Sequence, residues 1–358
     1  MARHGGERAG DVERGASFEG DQAVSTGSQG PATDGWRMRR RWLLLGGAAA
    51  AGSLALGSCI AVKEGASAGY AAPEAAPLAL PPAGADAVRT AWVFSSGGPR
   101  GFVHIGVLKG LAALGLQPDL VVGSSVGALA GTLCAAGLDA ARLEDLALSV
   151  QPWDLLRLNL SGPGWLSGAG MAELVREALR GRRLQDLPVP MACVALRLDD
   201  GEVVAFTRGD AGLAVQASTA IVGRLAPVPI RGARYADPDL HLPLPVRLAR
   251  RLGATRVLAV DASAHEDRAP PEAAAYRDAD LRKRELTRPD ARLADVLLHP
   301  DTGYRAGWTR DYRARLIALG EEAVHAQAEA LRELHAGPRR IAGAGRWVAD
   351  GGGEQRPA

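Results

Sequence analysis

Leu120-Val121-Val122-Gly123-Ser124-Ser125-Val126-Gly127 changes character in its middle. Its first three residues are an apolar run of strand length, and the small-residue stretch Val126 to Ala136 suits a helix. Between them, Gly123-Ser124-Ser125-Val126-Gly127 fits G-x-S-x-G in the strand–turn–helix setting that presents a serine nucleophile. The glycines let the backbone turn sharply without a clashing Cβ. The helix start then supplies N–H groups and the positive end of a dipole to a developing oxyanion. The pattern alone carries little weight, because Gly65-Ala66-Ser67-Ala68-Gly69 also fits and has neither flank.

Upstream, the strand-length run Ala91-Trp92-Val93-Phe94 leads through a Gly-rich turn to Phe102–Leu114, whose apolar positions suit a helix. Strand, helix, strand, helix at this spacing predicts a parallel sheet covered by helices. Further strands are expected at Val189–Leu196, Val203–Phe206 and Val257–Val260, a short helix at Leu213–Thr219, and one long amphipathic helix over Tyr312–Leu334. The turn itself, Ser96-Gly97-Gly98-Pro99-Arg100-Gly101, is of a kind that offers backbone N–H groups to an oxyanion. A phosphate loop is the weaker reading: no G-K-[ST] occurs, and Ser96 breaks the first position of G-x-G-x-x-G. Arg100 either braces this loop, meets a phosphate headgroup or is a plain surface arginine.

These blocks together resemble patatin-like phospholipases. Gly97-Gly98-Pro99-Arg100-Gly101-Phe102-Val103-His104-Ile105-Gly106-Val107-Leu108 looks like the start of that domain, and the G-x-S-x-G spacing matches. Downstream, Ala217 to Ile221, Ala226-Pro227-Val228, Tyr235-Ala236-Asp237-Pro238-Asp239 and Leu242 to Val246 follow in the order of the segment that holds the family's aspartate. The resemblance runs from about Val88 to Ala262. It implies a three-layer α/β/α fold with a mostly parallel central sheet and C-terminal helices. It also implies a Ser–Asp dyad, with Ser125 as nucleophile and Asp237 as proton acceptor. Gly97, Gly98, Arg100 and Gly101 fall on the oxyanion loop, and Gly123 and Gly127 frame the serine. The implied substrate is a phospholipid or lysophospholipid ester, with no cofactor and no metal.

One departure bears on activity. The family usually has Asp-Gly-Gly or Asp-Gly-Ala; here Pro238 and Asp239 follow Asp237. Proline fixes φ near −65°, removes an N–H and biases the preceding residue toward extended backbone. A second carboxylate nearby raises the pKa of Asp237, which favours a base. The same turn, if it displaces Asp237, leaves a weak or inactive lipid-binding protein on this fold. His104 reads as a structural residue of the helix after the oxyanion loop. His241 or His299 would be needed for a Ser–His–Asp triad, and the Asp237–His241 interval is too short to separate the two usual loops.

The chain has 358 residues, 47% apolar, with a net charge of +2, so the balance gives no sign of nucleic-acid binding. No cysteine or histidine spacing reads as a zinc site. Residues 1–37 lack hydrophobic period and read as disordered, or as an over-extended start if Met38 begins the protein. Residues 38–59 read as an export signal: Arg39-Arg40-Arg41, an apolar run from Trp42 to Leu56, and Leu56-Gly57-Ser58-Cys59, which resembles a bacterial lipobox with Cys59 as the lipidated residue. The arginines fit a twin-arginine or a Sec n-region. The implied place is the bacterial envelope, anchored by lipid at the membrane surface and facing the periplasm or exterior. Residues 60–87 read as a tether, 88–265 as the catalytic core, 266–336 as its C-terminal helical part and 337–358 as a flexible tail.

Overall fold

The structure, a computed structural model, describes residues 89–160 and 164–336. The export signal, Cys59, the tether with its Ser67 motif and the tail lie outside the described residues.

The chain opens as the pattern predicts: β1 Thr90–Phe94, α1 Phe102–Ala113, β2 Leu120–Ser124, α2 Val126–Ala135. α3 Ala140–Ser149 follows, its first turn capped by the Asp139 carboxylate on the Arg142 N–H. A short α4 Pro152–Leu155 leads into a hairpin, β3 Arg157–Leu158 and β4 Leu166–Ser167, and then α5 Ala169–Ala178. β5 Met191–Arg197, β6 Val203–Phe206, α6 Ala211–Ser218, β7 Val228–Ile230 and β8 Ala233–Ala236 come next. The remainder is α7 Val246–Arg251, β9 Arg256–Val260, α8 Arg277–Ala291, β10 Val296–Leu298, α9 Arg310–Ala326 and α10 Ala328–His335.

Eight strands form one sheet in the order β10-β9-β1-β2-β5-β8-β7, with β6 also paired to β5. From β10 to β5 every pairing is parallel; β6, β8 and β7 run antiparallel to their neighbours. The parallel strands are buried on both faces, so they read as continuous apolar runs. Ala91 and Val93 face one core with Leu244, Val246 and Ala249, while Trp92 and Phe94 face the other with α1, α2 and α9. The result is a three-layer α/β/α body.

The pairing along β5 places the chemistry. β2 lies beside Met191 to Val194 and β6 beside Cys193 to Leu196, on opposite edges of β5. β8 pairs with Leu196 and Arg197 across from β6, and therefore on the edge used by β2. β2 and β8 run head to head along that edge, and each ends where the other ends. The residues just past those ends are Ser125 and Asp237.

The C-terminal helix departs from the sequence expectation. Tyr312–Leu334 is not one helix; Gln327, at φ −117° and ψ 22°, separates α9 from α10. The break lets α10 return to the sheet. There, the Trp92 indole N–H donates to His335 Nε2 at 2.9 Å, and Arg256 donates to the carbonyls of Leu334 and Ala336 that would otherwise lack partners. The segment after residue 266 is not wholly helical either, since β10 extends the sheet beside β9.

α9 crosses α1 with almost no side chain between them. A Cβ on Gly106 would lie 1.8 Å from the Ile317 carbonyl oxygen, and one on Gly320 would lie 2.3 Å from the Val103 carbonyl oxygen. The obstacles are backbone, so the two helices would have to separate. Gly106→Val is expected to lose about 2 kcal/mol or more of unfolding free energy, measured by urea denaturation, because overpacking of a fixed interior costs on that scale.

Candidate active site

Ser125 is held in an uncommon backbone state. It precedes α2 at φ 55° and ψ −124°, a left-handed conformation costly for a residue with a Cβ. Two close approaches impose it. A Cβ on Gly123 would sit 2.3 Å from the Gly127 carbonyl oxygen, and one on Gly127 would sit 2.3 Å from the Phe94 carbonyl oxygen. Only glycine fits either position, so β2 turns directly into α2 while β1 stays close alongside. The Ser125 N–H donates to Ser218 Oγ at 2.9 Å, which ties the turn to the end of α6.

Ser125 Oγ donates to Asp237 Oδ2 at 2.6 Å, and both residues are buried. The Asp237 N–H donates to the Ala220 carbonyl, and its other carboxylate oxygen accepts the Asp239 N–H at 2.9 Å. This last bond makes the Asp-Pro-Asp turn a side-chain-closed turn. The N–H it uses belongs to the residue after the proline, so Pro238 removes nothing the turn needs. Burial foremost, and then the charge of Asp239, push the Asp237 pKa up to about 7, against the opposing effect of its hydrogen bonds and of Lys283.

Asp239 carries its own partners. Lys283 Nζ lies 2.6 Å from Oδ1, and the Ser96 hydroxyl donates to the same oxygen. Burial works against its charge, but the Lys283 charge, the hydrogen bonds from Lys283 and Ser96, and Arg100 together hold its pKa below the usual carboxylate value. Asp239 therefore joins three elements, linking the Asp237 turn to the oxyanion loop through Ser96 and to α8 through Lys283.

The glycine-rich loop Ser96–Gly101, the candidate oxyanion loop, lies over the start of α2. A Cβ on Gly101 would lie 2.3 Å from Val126 Cγ1, and one on Gly97 would lie 2.9 Å from Ala262 Cβ. Gly98 has φ +54°, which glycine adopts without strain. Among the described residues, no hydrogen bond uses the N–H of Gly97 or Gly98. Arg100 turns away from this space. Its guanidinium donates to the Gly303 and Tyr304 carbonyls, so it braces the loop.

Ser125, Val126, Gly98 and Gly101 line a cavity of about 450 Å³. Its wall is almost entirely apolar, with Leu129, Leu133, Leu143, Met171 and Leu174 among the lining residues. That volume lies in the range of small-ligand sites. A larger, more polar depression between α3 and α5 contains neither Ser125 nor Asp237.

Among the described residues, no histidine joins the pair. His104 is fully buried, with Nε2 3.0 Å from the Ser95 carbonyl oxygen and its ring edge-on to Phe94. Burial drives its pKa down to about 4, so it is neutral. His241 is exposed, and His299 stacks on His265 near Asp261. Neither hydrogen-bonds Asp237, whose carboxylate is taken up by Ser125 and Asp239. The sequence reading passed over Ser96, Ser218 and Lys283 as site residues. Ser218 lies in a segment already singled out, whereas Lys283 sits in a charge-rich helix and gives no local signal. No group of three metal-ligating side chains occurs among the described residues.

The family model for patatin-like phospholipase matches residues 92–250. Uncharacterized NTE family proteins of Mycobacterium bovis and Mycobacterium tuberculosis are 34% identical over 197 residues, covering 53% of this chain and 54% of theirs. The chain thus spans about half the length of these relatives. The rat patatin-like phospholipase domain-containing protein 7 is 27% identical over 49% of this chain and 14% of its own length. Among solved structures, VipD from Legionella pneumophila aligns with a TM-score of 0.45 at 14% identity, over 69% of this chain and 67% of that one. By its family match, residues 92–250 of the chain form a patatin-like phospholipase domain.

Proposed function

We propose that this protein is a serine acyl hydrolase that cleaves carboxylic ester bonds of phospholipids or lysophospholipids with a Ser125–Asp237 dyad. The observation that carries the reading is the 2.6 Å contact from Ser125 Oγ to Asp237 Oδ2 beside an apolar cavity. The acyl chain lies along that cavity, with its carbonyl carbon above Ser125. Ionised Asp237 takes the Ser125 proton as Oγ attacks the carbonyl carbon. The carbonyl oxygen becomes an oxyanion, received by the unused N–H groups of Gly97 and Gly98 and by the N-terminal end of α2. Asp237 then returns the proton to the leaving alcohol. Water, deprotonated by the same carboxylate, releases the fatty acid and restores Ser125. The chemistry needs a base with a pKa near the working pH, which burial of Asp237 supplies.

The alternative, a catalytically weak or inactive lipid-binding protein, rests on displacement of Asp237 by the Pro238-Asp239 turn. The 2.6 Å contact of Asp237 with Ser125 across that turn supports the hydrolase reading. Export and lipid attachment through Cys59 complete the proposal on sequence grounds alone. Among the described residues, no helix is long and apolar enough to cross a membrane.

A fluorophosphonate probe should label the protein, with labelling lost in Ser125→Ala. Fatty-acid release from lysophosphatidylcholine should fall by about 10³-fold or more in Asp237→Asn, as expected when a general base is removed. Full release by Asp237→Asn would refute the dyad. Activity that appears only in the Pro238→Gly, Asp239→Gly double variant would restore the inactive alternative.

The raised Asp237 pKa has two further consequences. Activity requires the ionised form, so kcat/KM should rise with pH and level off above a midpoint near 7. Asp239→Asn removes the repelling charge and leaves Lys283 unopposed, so that midpoint should move to lower pH. In the unfolded chain Asp237 titrates near 3.9. The folded pKa is the higher one, so its protonated form favours folding, and that contribution is lost as pH rises from about 4 to about 7. Thermal melts across that interval should therefore show wild type losing stability relative to Asp237→Asn, with no further divergence above it.

A further inference from the structure

α4 and the β3–β4 hairpin expose large apolar side chains of a kind usually buried. Trp153 is 69% exposed, Leu158 75%, Leu160 89% and Trp165 86%. The elements that carry them also build the cavity: Leu155, Leu156 and Leu166 line it. Leu158 stands opposite Leu166 in the hairpin register, so an exposed leucine lies beside one that lines the cavity. Trp165 adjoins Leu166 in sequence, just before β4, and is itself exposed.

A second loop extends the same surface. The Ala226 N–H donates to the Leu166 carbonyl at 2.8 Å, joining the hairpin to residues 221–226. There Ile221 and Val222 are exposed, and Ile221 and Arg224 reach the cavity lining. The Arg224 side chain is exposed and, among the described residues, has no carboxylate partner. The hairpin is held in place independently of any partner. Arg157 donates to the carbonyls of Trp153, Asp154 and Leu156 and pairs with Glu173, and the Asn159 N–H donates to the Trp165 carbonyl.

We propose that this apolar rim docks on a phospholipid bilayer, with Trp153, Leu158, Leu160 and Trp165 entering the interface and Arg224 meeting headgroup phosphate. The occupant follows from continuity. The rim is carried by the same segments that line a cavity read as an acyl-chain site, so lipid that leaves a bilayer for that cavity would pass beside it. The composition agrees: indole rings favour the boundary between headgroups and acyl chains, and an unpaired guanidinium complements an anionic headgroup. The proposal rests on the lipid-hydrolase reading and adds a membrane contact separate from any anchor at Cys59.

The test uses the full chain with Cys59→Ser, so that lipidation plays no part. A polarity-sensitive fluorophore is placed by Leu160→Cys, and by Leu293→Cys as a control on the other side of the sheet. Vesicles are equimolar phosphatidylglycerol and phosphatidylcholine. The probe at 160 should shift to the blue on vesicle addition and the probe at 293 should not. In the 160-labelled protein, adding Trp153→Ser and Trp165→Ser should raise the lipid concentration needed for half the shift by roughly tenfold or more, given the apolar area withdrawn. Turnover of a dispersed short-chain ester by that variant should stay within about twofold of its parent, since neither tryptophan lines the cavity. No shift at 160, an equal shift at both positions, or unchanged lipid dependence in the tryptophan variant would overturn the proposal. So would a shift at 160 that follows protein concentration without vesicles, which would assign the rim to a second copy of the chain. If the parent fails to hydrolyse the short-chain ester, the hydrolase reading fails, whatever the vesicles report.

Discussion

The structure depends on how the edge of β5 is shared. One edge of this strand holds two others that approach from opposite directions, β2 in parallel and β8 antiparallel. Backbone hydrogen bonding sets the register of each, and a one-residue slip would turn every side chain to the other face. The sheet therefore fixes the distance between the residues just past the two strand ends. Those residues are Ser125 and Asp237, which lie 112 positions apart in the chain and 2.6 Å apart in space. A pair mounted on strand ends keeps its spacing better than one mounted on long loops. Here each member needs only the next residue of a strand already pinned to β5.

Two costs are concentrated at that junction. Ser125 holds a left-handed backbone, and Asp237 holds a carboxylate away from water. The first is enforced by glycine contacts too close to admit any Cβ, so the backbone has no relaxed alternative unless β1 and α2 separate. The second is met in part by hydrogen bonds from Ser125 and the Asp239 N–H. Asp239 would compound the cost if it stood alone, but Lys283 and Ser96 neutralise and satisfy it. Without Lys283 the buried Asp237 carboxylate and the half-buried Asp239 carboxylate would compete for one proton. With it, their proton affinities part in opposite directions.

What was legible in the sequence was what is local. β1 through α2 is one continuous alternation of apolar strand, glycine turn and apolar helix, and each element is recognised from its own residues. The α9–α10 break was not legible, because Tyr312 to Leu334 keeps a helical period across Gln327. The break follows from docking on Trp92 and Arg256, far away in sequence. The β3–β4 hairpin escaped notice because two-residue strands have no period to detect. The candidate site divides in the same way. Ser125 and Asp237 carry motif signals, whereas Lys283 reaches Asp239 across 44 residues from a helix of ordinary surface composition.

The Asp-Pro-Asp turn shows why local rules misjudge some positions. Taken alone, a proline where the family has glycine suggests a blocked left-handed residue and a displaced aspartate. In the folded chain the left-handed strain is borne by Ser125, on the other strand, and the aspartate turn closes through the N–H of residue 239. Proline has no N–H and a fixed φ, and the position it occupies requires neither a donor nor that freedom. The substitution then changes the residue that follows. Asp239 in place of a glycine gives the turn a side chain, and that side chain reaches Ser96 and Lys283. A turn that glycine would leave mobile is fastened at its far end, and the position of Asp237 depends on the charge of a helix that the motif does not include.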